Sequence, residues 1–158
     1  MTDSASQKRE QRGIVRAMDA DDRLNLDLAA GAPGLPAIFD AWFRGRGWEP
    51  RPHQLELMQL GLQGRSSLLV APTGGGKTLG GFLASLVELE ERGPHKPGAA
   101  GKGLHTLYIS PLKALAVDVK RNLEMPIAEM GLPVTLETRT GDTPQNRRLR
   151  QRHEPPDI

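Results

Sequence analysis

The chain has 158 residues, a formal net charge of +2 and no cysteine. That length suits one domain with a real core, and the lack of cysteine excludes disulfides and thiolate metal sites. No apolar run approaches the ~20 residues needed to span a bilayer, and the N-terminus lacks the hydrophobic stretch of a signal peptide. A soluble, cytoplasmic protein with no membrane partner is expected. The mild basicity permits a polyanionic partner without demanding one.

In chain order, residues 1–30 read as a flexible N-terminal tail. Met1–Arg12 is almost wholly polar, and Met18–Leu28 mixes acids with leucines too sparse to build a core. Met18 is a second candidate start. The folded part is expected over 31–158. Leu35, Ile38, Phe39, Trp42 and Phe43 fall at helical spacing within Leu35–Gly45, and Leu55, Leu57, Met58 and Leu62 repeat the pattern in Gln54–Leu62. The apolar run Leu68-Leu69-Val70 reads as a buried strand, and the amphipathic segment Leu79–Leu89 as a helix.

Between that strand and that helix lies Ala71-Pro-Thr-Gly-Gly-Gly-Lys-Thr78, the most informative stretch of the chain. A strand, a glycine-rich turn and a helix N-terminus in that order make a phosphate cradle. Glycines let backbone N–H groups converge on an anion that a Cβ would hold away, and the helix dipole adds positive potential. Thr73, Gly74, Gly75 and Gly76 are the cradle, Lys77 supplies a mobile charge for the β- and γ-phosphates, and the Thr78 hydroxyl is placed to bind Mg²⁺. The first position, glycine in the usual pattern, is Ala71. A nucleoside triphosphate is the expected ligand.

The second half alternates. Gly93–Gly103 reads as a surface loop, Leu104–Ser110 as a buried strand, and Leu112–Met130 as a helix that Pro126 kinks or splits. Pro133–Thr138 reads as a third strand, Thr143–His153 as an arginine-rich helix, and Glu154–Ile158 as the start of another strand. Such alternation implies a parallel sheet with helices on its faces, and the glycine loop sits at a strand's carboxyl end, where such sheets bind ligands. The fold class expected is α/β. Phosphoryl transfer also needs a carboxylate on a later strand to hold Mg²⁺ and position water. Asp118, Glu124 and Asp142 lie in helix or loop contexts that do not suit that role. A truncated chain with little ATPase activity of its own is therefore expected.

Four stretches together carry a family resemblance: Gly47-Trp-Glu-Pro-Arg-Pro-His-Gln54, the Ala71–Thr78 loop, Ser110-Pro-Leu-Lys-Ala-Leu-Ala-Val-Asp118 and Arg139-Thr-Gly-Asp-Thr143. They resemble, in order and spacing, superfamily 2 helicases of the Lhr-like DExH-box group, the nearest likeness being to the bacterial ligase-associated DExH-box helicases. The resemblance runs from about Leu35 to Ile158. It implies an incomplete first RecA-like domain, a P-loop NTPase using ATP and Mg²⁺, in an ATP-dependent 3′–5′ DNA helicase of DNA repair. Single-stranded or tailed DNA, or RNA, is the implied substrate, a ligase and a nuclease are possible partners, and the bacterial cytosol or nucleoid is the implied location.

Carried over position by position, Gln54 resembles the adenine-reading glutamine, since an amide both donates and accepts, as adenine's edge requires. Trp48 or Phe39 is a candidate to stack on the base; otherwise both aromatics are core and Gln54 a solvated helix residue. Ser110, Pro111 and Lys113 resemble the turn that touches the backbone of the tracking strand, with Leu112, Leu115 and Val117 as helix core. Thr140, Gly141 and Thr143 resemble the next such turn, where Asp142 is read as capping the following helix or positioning the threonines. Arg147, Arg148, Arg150 and Arg152 either extend a nucleic-acid footprint or form a solvated helix face. Two functions stay open: the ATP- and nucleic-acid-binding portion of a helicase motor, or an NTP-binding module or split-gene remnant without motor activity.

Overall fold

The computed structural model describes the backbone of residues 13–16 and, in full, residues 34–94 and 103–158. These fall into two compact units, one holding 13–16, 34 and 50–84, the other 35–49, 85–94 and 103–158. Five helices and two strands run through them: β1 (Gly13–Arg16), α1 (Ala37–Gly45), α2 (Pro52–Leu62), β2 (Ser67–Val70), α3 (Lys77–Arg92), α4 (Lys113–Met130) and α5 (Gln145–His153).

In the first unit β1 and β2 pair in parallel, Gly13 opposite Ser67 through Arg16 opposite Val70. A strand therefore lies within the stretch expected to be a tail. Its sequence signal is the Ile14-Val15 pair, β-branched residues that suit a pleated surface. The rest of 1–30 and the 95–102 part of the expected loop lie outside the described residues. Helix α2 lies against both strands. Pro52 opens it at a position where a missing N–H costs nothing, and its apolar positions Leu57 and Leu60 pack with Leu69 of β2. Leu68 and Val70, expected to be buried, are more than half exposed. Gly61 of α2 meets the first half of α3 so closely that a Cβ there would stand 2.7 Å from the Cβ of Ala84.

In the second unit the core is Phe39 and Phe43 of α1, Leu86, Val87 and Leu89 of α3, and Leu123, Ile127 and Met130 of α4. Helix α4 runs unbroken through Pro126 and ends at Gly131, whose left-handed φ of 63° suits a residue without a Cβ. Helices α1 and α4 are joined by Glu129, which accepts a hydrogen bond from the Trp42 indole at 2.7 Å and pairs with Arg46. Hydrogen bonds from Arg46 first, then from Trp42, hold the Glu129 carboxyl below the usual carboxylate range, against a small opposing effect of burial. The Arg46 guanidinium stacks over both Trp42 and Trp48.

The expected strands Leu104–Ser110 and Pro133–Thr138 form no ladder. The N–H groups of His105 and Thr106 both reach the carbonyl of Asp157, and those of Asp157 and Ile158 both reach that of Thr135. Successive amides of a true strand point to opposite sides, so paired amides converging on one carbonyl cannot propagate a ladder. Asp157 and Ile158 nonetheless lie between 104–106 and 135–137, with Glu137 donating to the Ile158 carbonyl, and both are buried. The Asp157 carboxylate accepts the Thr135 N–H and hydroxyl at 2.9 and 2.6 Å. Leu107 and Ile109, expected inside a buried strand, are 67% and 80% exposed. Leu112, Leu115 and Val117, expected as helix core, are exposed as well.

Candidate nucleotide site and nucleic-acid interface

The glycine loop leads from β2 into α3, which begins at Lys77, two residues earlier than the spacing suggested. Gly74 and Gly76 have φ of 78° and 70°, a left-handed conformation that penalises any residue with a Cβ. The Gly75 N–H closes a tight turn onto the Pro72 carbonyl at 3.0 Å, and a Cβ on Gly75 would stand 2.9 Å from that same oxygen. Gly80 is the first amide of α3 to find a helical carbonyl, that of Gly76. The N–H groups of the first turn before it have no carbonyl within the helix, which is how a helix N-terminus comes to bind anions.

Each residue expected to hold nucleotide sits on this loop or under it. Thr73, Gly74 and Lys77 are exposed, Gly76 and Thr78 are half-buried, and Gly75 is buried. The Lys77 ammonium rests on two carbonyls of its own loop, Ala71 at 2.9 Å and Pro72 at 2.6 Å, on the stem that would carry it to a phosphate. Over 50–84 the chain holds Arg51, Arg65 and Lys77 against a single carboxylate, Glu56, a balance that favours an anion. These features fit a triphosphate: a cradle that side chains would fill, an ammonium within reach, and a hydroxyl at Thr78 for a divalent cation.

Gln54 is not the solvated helix residue of the alternative reading; it is 4% exposed. Its Oε1 accepts the N–H of Arg51 at 2.9 Å, part of a capping arrangement at the start of α2, and its Nε2 donates to the Gly76 carbonyl at 3.0 Å. The residue before it, His53, is equally buried and bonds the Gly75 carbonyl through Nε2 at 2.8 Å. His53 was not singled out from sequence, because its partner lies 22 residues away and no periodicity encodes the contact. Of the two candidate stacking aromatics, Phe39 is fully buried in the second unit and therefore core, whereas Trp48 is half exposed.

In the second unit the two turns expected to meet nucleic acid come together. Ser110 Oγ donates to the Leu112 carbonyl at 3.1 Å, shaping the bend through Pro111 into α4. Lys113, the first residue of α4, forms an ion pair with Asp142. Asp142 is thus not a helix cap, since the residue before α5 is Pro144 and no side chain caps it. The 140–143 turn is held by its own threonines: Thr143 Oγ1 accepts the Thr140 N–H at 2.8 Å, and Thr140 Oγ1 accepts the Asp142 N–H at 3.3 Å. Gly141 lies exposed between them, its carbonyl and that of Thr140 bound by the Arg148 guanidinium.

The arginines of α5 divide by role. Arg147 and Arg150 pair with Glu137, which also accepts from Gln151 at 2.7 Å. Burial pushes the Glu137 carboxyl up, but the bonds from Gln151 and Arg147 and the charges of Arg150 and Arg147 outweigh it and hold the group below the usual range. Arg148 and Arg152 instead line an open groove of about 440 Å³ with Arg139, Thr143, Gln145 and Leu149. The groove has three guanidinium groups and no carboxylate among its lining residues.

The DEAD/DEAH box helicase family matches residues 51–158, a span holding the phosphate loop and both turns. The chain belongs to the DEAD/DEAH box helicase family. That family implies a fold of the RecA-like P-loop kind. The chain is 39% identical over 132 residues to the Lhr helicase/probable uracil glycosylase of Mycolicibacterium smegmatis, covering 77% of this chain and 8% of that protein. It is 35% identical over 140 residues to the Lhr helicase/uracil glycosylase of Escherichia coli K12, covering 78% and 9%. With the ATP-dependent helicase Lhr-Core protein 2 of Thermococcus barophilus the identity is 38% over 128 residues, covering 74% and 14%. The likeness to the Lhr group therefore holds, although the chain spans only a small fraction of these relatives' length. No solved structure matches the chain. No helix among the described residues is long and apolar enough to cross a membrane.

Proposed function

We propose that this chain is the ATP- and nucleic-acid-binding portion of a 3′–5′ DNA helicase that acts in DNA repair in the bacterial cytosol or nucleoid, alongside partners such as a ligase and a nuclease. The observation that carries the ATP part is the loop itself. Two of its glycines have positive φ, two successive carbonyls are drawn back onto α2, and the first-turn amides of α3 are left to an anion. In this reading Thr73 through Lys77 wrap the phosphates, Lys77 leaves the Ala71 and Pro72 carbonyls to meet the terminal phosphates, and Gln54 stands beside the adenine. Thr78 would hold Mg²⁺, which when bound neutralises charge on the phosphate oxygens. Ser110, Pro111 and Lys113, with Thr140, Gly141 and Thr143, grip the backbone of one strand, because small residues let a phosphate approach and a lysine attracts it.

A titration with fluorescein-labelled single-stranded DNA and separately with Mg-ATP tests the pair of sites. Lys77→Ala should remove ATP binding and spare DNA binding, and Lys113→Ala should do the reverse. Loss of both ligands from each variant, or of neither, would contradict the division. Polarity is read by strand displacement on 3′-tailed against 5′-tailed duplexes, with the chain extended to the length of its relatives.

A further inference from the structure

We propose that His53 is a positioning residue for the phosphate loop: with Gln54 it fixes two successive peptide planes, and so aims the backbone donors that bind a nucleoside triphosphate. The inference rests on the ATP-site reading above and adds a residue to it.

His53 and Gln54 occupy the first turn of α2, both less than a tenth exposed. The His53 ring reaches the Gly75 carbonyl at 2.8 Å and the Gln54 amide reaches the Gly76 carbonyl at 3.0 Å. A carbonyl oxygen only accepts, so Nε2 of His53 carries the proton in this contact. All described peptide bonds are trans, and in a trans peptide the C=O of one residue points opposite to the N–H of the next. Drawing the Gly75 carbonyl toward α2 therefore turns the Gly76 N–H away from it. Drawing the Gly76 carbonyl the same way turns the Lys77 N–H away too. Two neighbouring donors are thereby set on the face of the loop opposite α2, where the helix N-terminus also favours an anion.

The fit is close enough to need glycine. A Cβ on Gly76 would stand 2.5 Å from Gln54 Nε2, so the loop lies directly on the α2 amide. Three successive glycines have more freedom to lose than any other tripeptide. A rigid donor array from such a run requires outside support. The first turn of α2, stiffened by Pro52 and by the Gln54 bond to the Arg51 N–H, provides it.

The test compares His53→Phe, which keeps the ring and removes the donor, with His53→Gln, whose amide nitrogen reaches as far as Nε2, and His53→Asn, whose amide falls one bond short. Two readouts are taken on the 158-residue chain: calorimetric affinity for Mg-ATP and for inorganic tripolyphosphate, and backbone NMR order parameters at Gly76 and Lys77 without ligand. His53→Phe and His53→Asn are expected to weaken both ligands about fivefold to tenfold, as the loss of one buried hydrogen bond implies, and to lower the order parameter at both amides. His53→Gln should restore both readouts. If His53→Phe fails to fold, the Gln–Asn contrast decides alone. Equal affinity and equal order parameters across the variants would overturn the proposal, as would a loss for ATP with none for tripolyphosphate, which would mark His53 as a base-site residue. Failure of the wild-type chain to bind ATP would defeat the ATP-site reading, while the order parameters would still decide whether His53 fixes the loop.

Discussion

The ammonium of Lys113 and the carboxylate of Asp142 form an ion pair that ties the turn entering α4 to the turn preceding α5. Both side chains are more than half exposed, at 57% and 73%, so the pair adds at most about 1 kcal/mol to stability. In the proposed nucleic-acid site its consequence is for binding, because Asp142 neutralises the lysine that would meet a phosphate. Asp142→Asn should leave the thermal midpoint nearly unchanged and tighten binding of single-stranded DNA several-fold. Lys113→Ala should weaken it and reduce the salt slope by about 0.7, the value for one single-strand phosphate contact. Fluorescence anisotropy over a range of salt concentrations reads both. Weaker binding by Asp142→Asn would show that the pair shapes the turn more than it screens the lysine.

Gln54 has both ends of its amide engaged, with the Arg51 N–H and with the Gly76 carbonyl. Gln54→Ala should therefore have two effects: a loss of affinity shared by ATP, UTP and CTP as the loop loosens, and an additional loss for ATP alone where adenine is read. Calorimetry with the three nucleotides separates them. Equal losses for all three would leave Gln54 its loop role and remove its part in base recognition.

Gly76 combines a φ of 70° with the 2.5 Å approach to Gln54. Gly76→Ala is expected to destabilise the fold by about 1–2 kcal/mol from the left-handed backbone alone, with a further penalty from the clash. Adding Gln54→Ala should relieve the clash and leave the backbone term. Denaturant melts of the two single variants and the double variant would show this as a favourable coupling. Strict additivity would mean that the loop shifts to avoid the glutamine.

Glu137 ties α5 to the 135–138 segment through Gln151, Arg147 and Arg150. Its carboxyl is held below its ordinary value near 4.5, so the folded protein binds a proton there less readily than the unfolded chain. The associated stability is fully present above about pH 4.5 and is lost as the pH falls through the lower folded value. Glu137→Gln should lower stability at pH 7 and flatten the pH dependence below 4.5. A variant as acid-sensitive as the wild type would show that other carboxylates govern the acid limb.

Much of this was legible in the sequence, because local rules wrote it. The helices over Leu35–Gly45 and Gln54–Leu62 appear within three residues of their expected starts, since apolar spacing and Pro52 act along one stretch of chain. The phosphate loop was legible for a similar reason: its glycines are demanded by backbone angles at their own positions. What was missed depends on contacts across the chain. The pairing of Gly13–Arg16 with Ser67–Val70, the bond from His53 to Gly75 and the salt bridge of Lys113 with Asp142 each join residues more than 20 apart. Leu104–Ser110 and Pro133–Thr138 have the composition of strands, yet a ladder also needs neighbours in register. Here the amides of 105–106 and of 157–158 converge in pairs on single carbonyls, an arrangement that no ladder can extend.

The loop over Ala71–Thr78 is proposed to bind ATP, and isothermal titration of the 158-residue chain with Mg-ATP tests this most directly. The wild-type chain should give a one-to-one isotherm. Lys77→Ala, with an unchanged far-ultraviolet circular dichroism spectrum, should give no detectable heat of binding, because Lys77 is the one cationic side chain of that loop. An isotherm for Lys77→Ala that overlays the wild type would contradict the assignment of the loop.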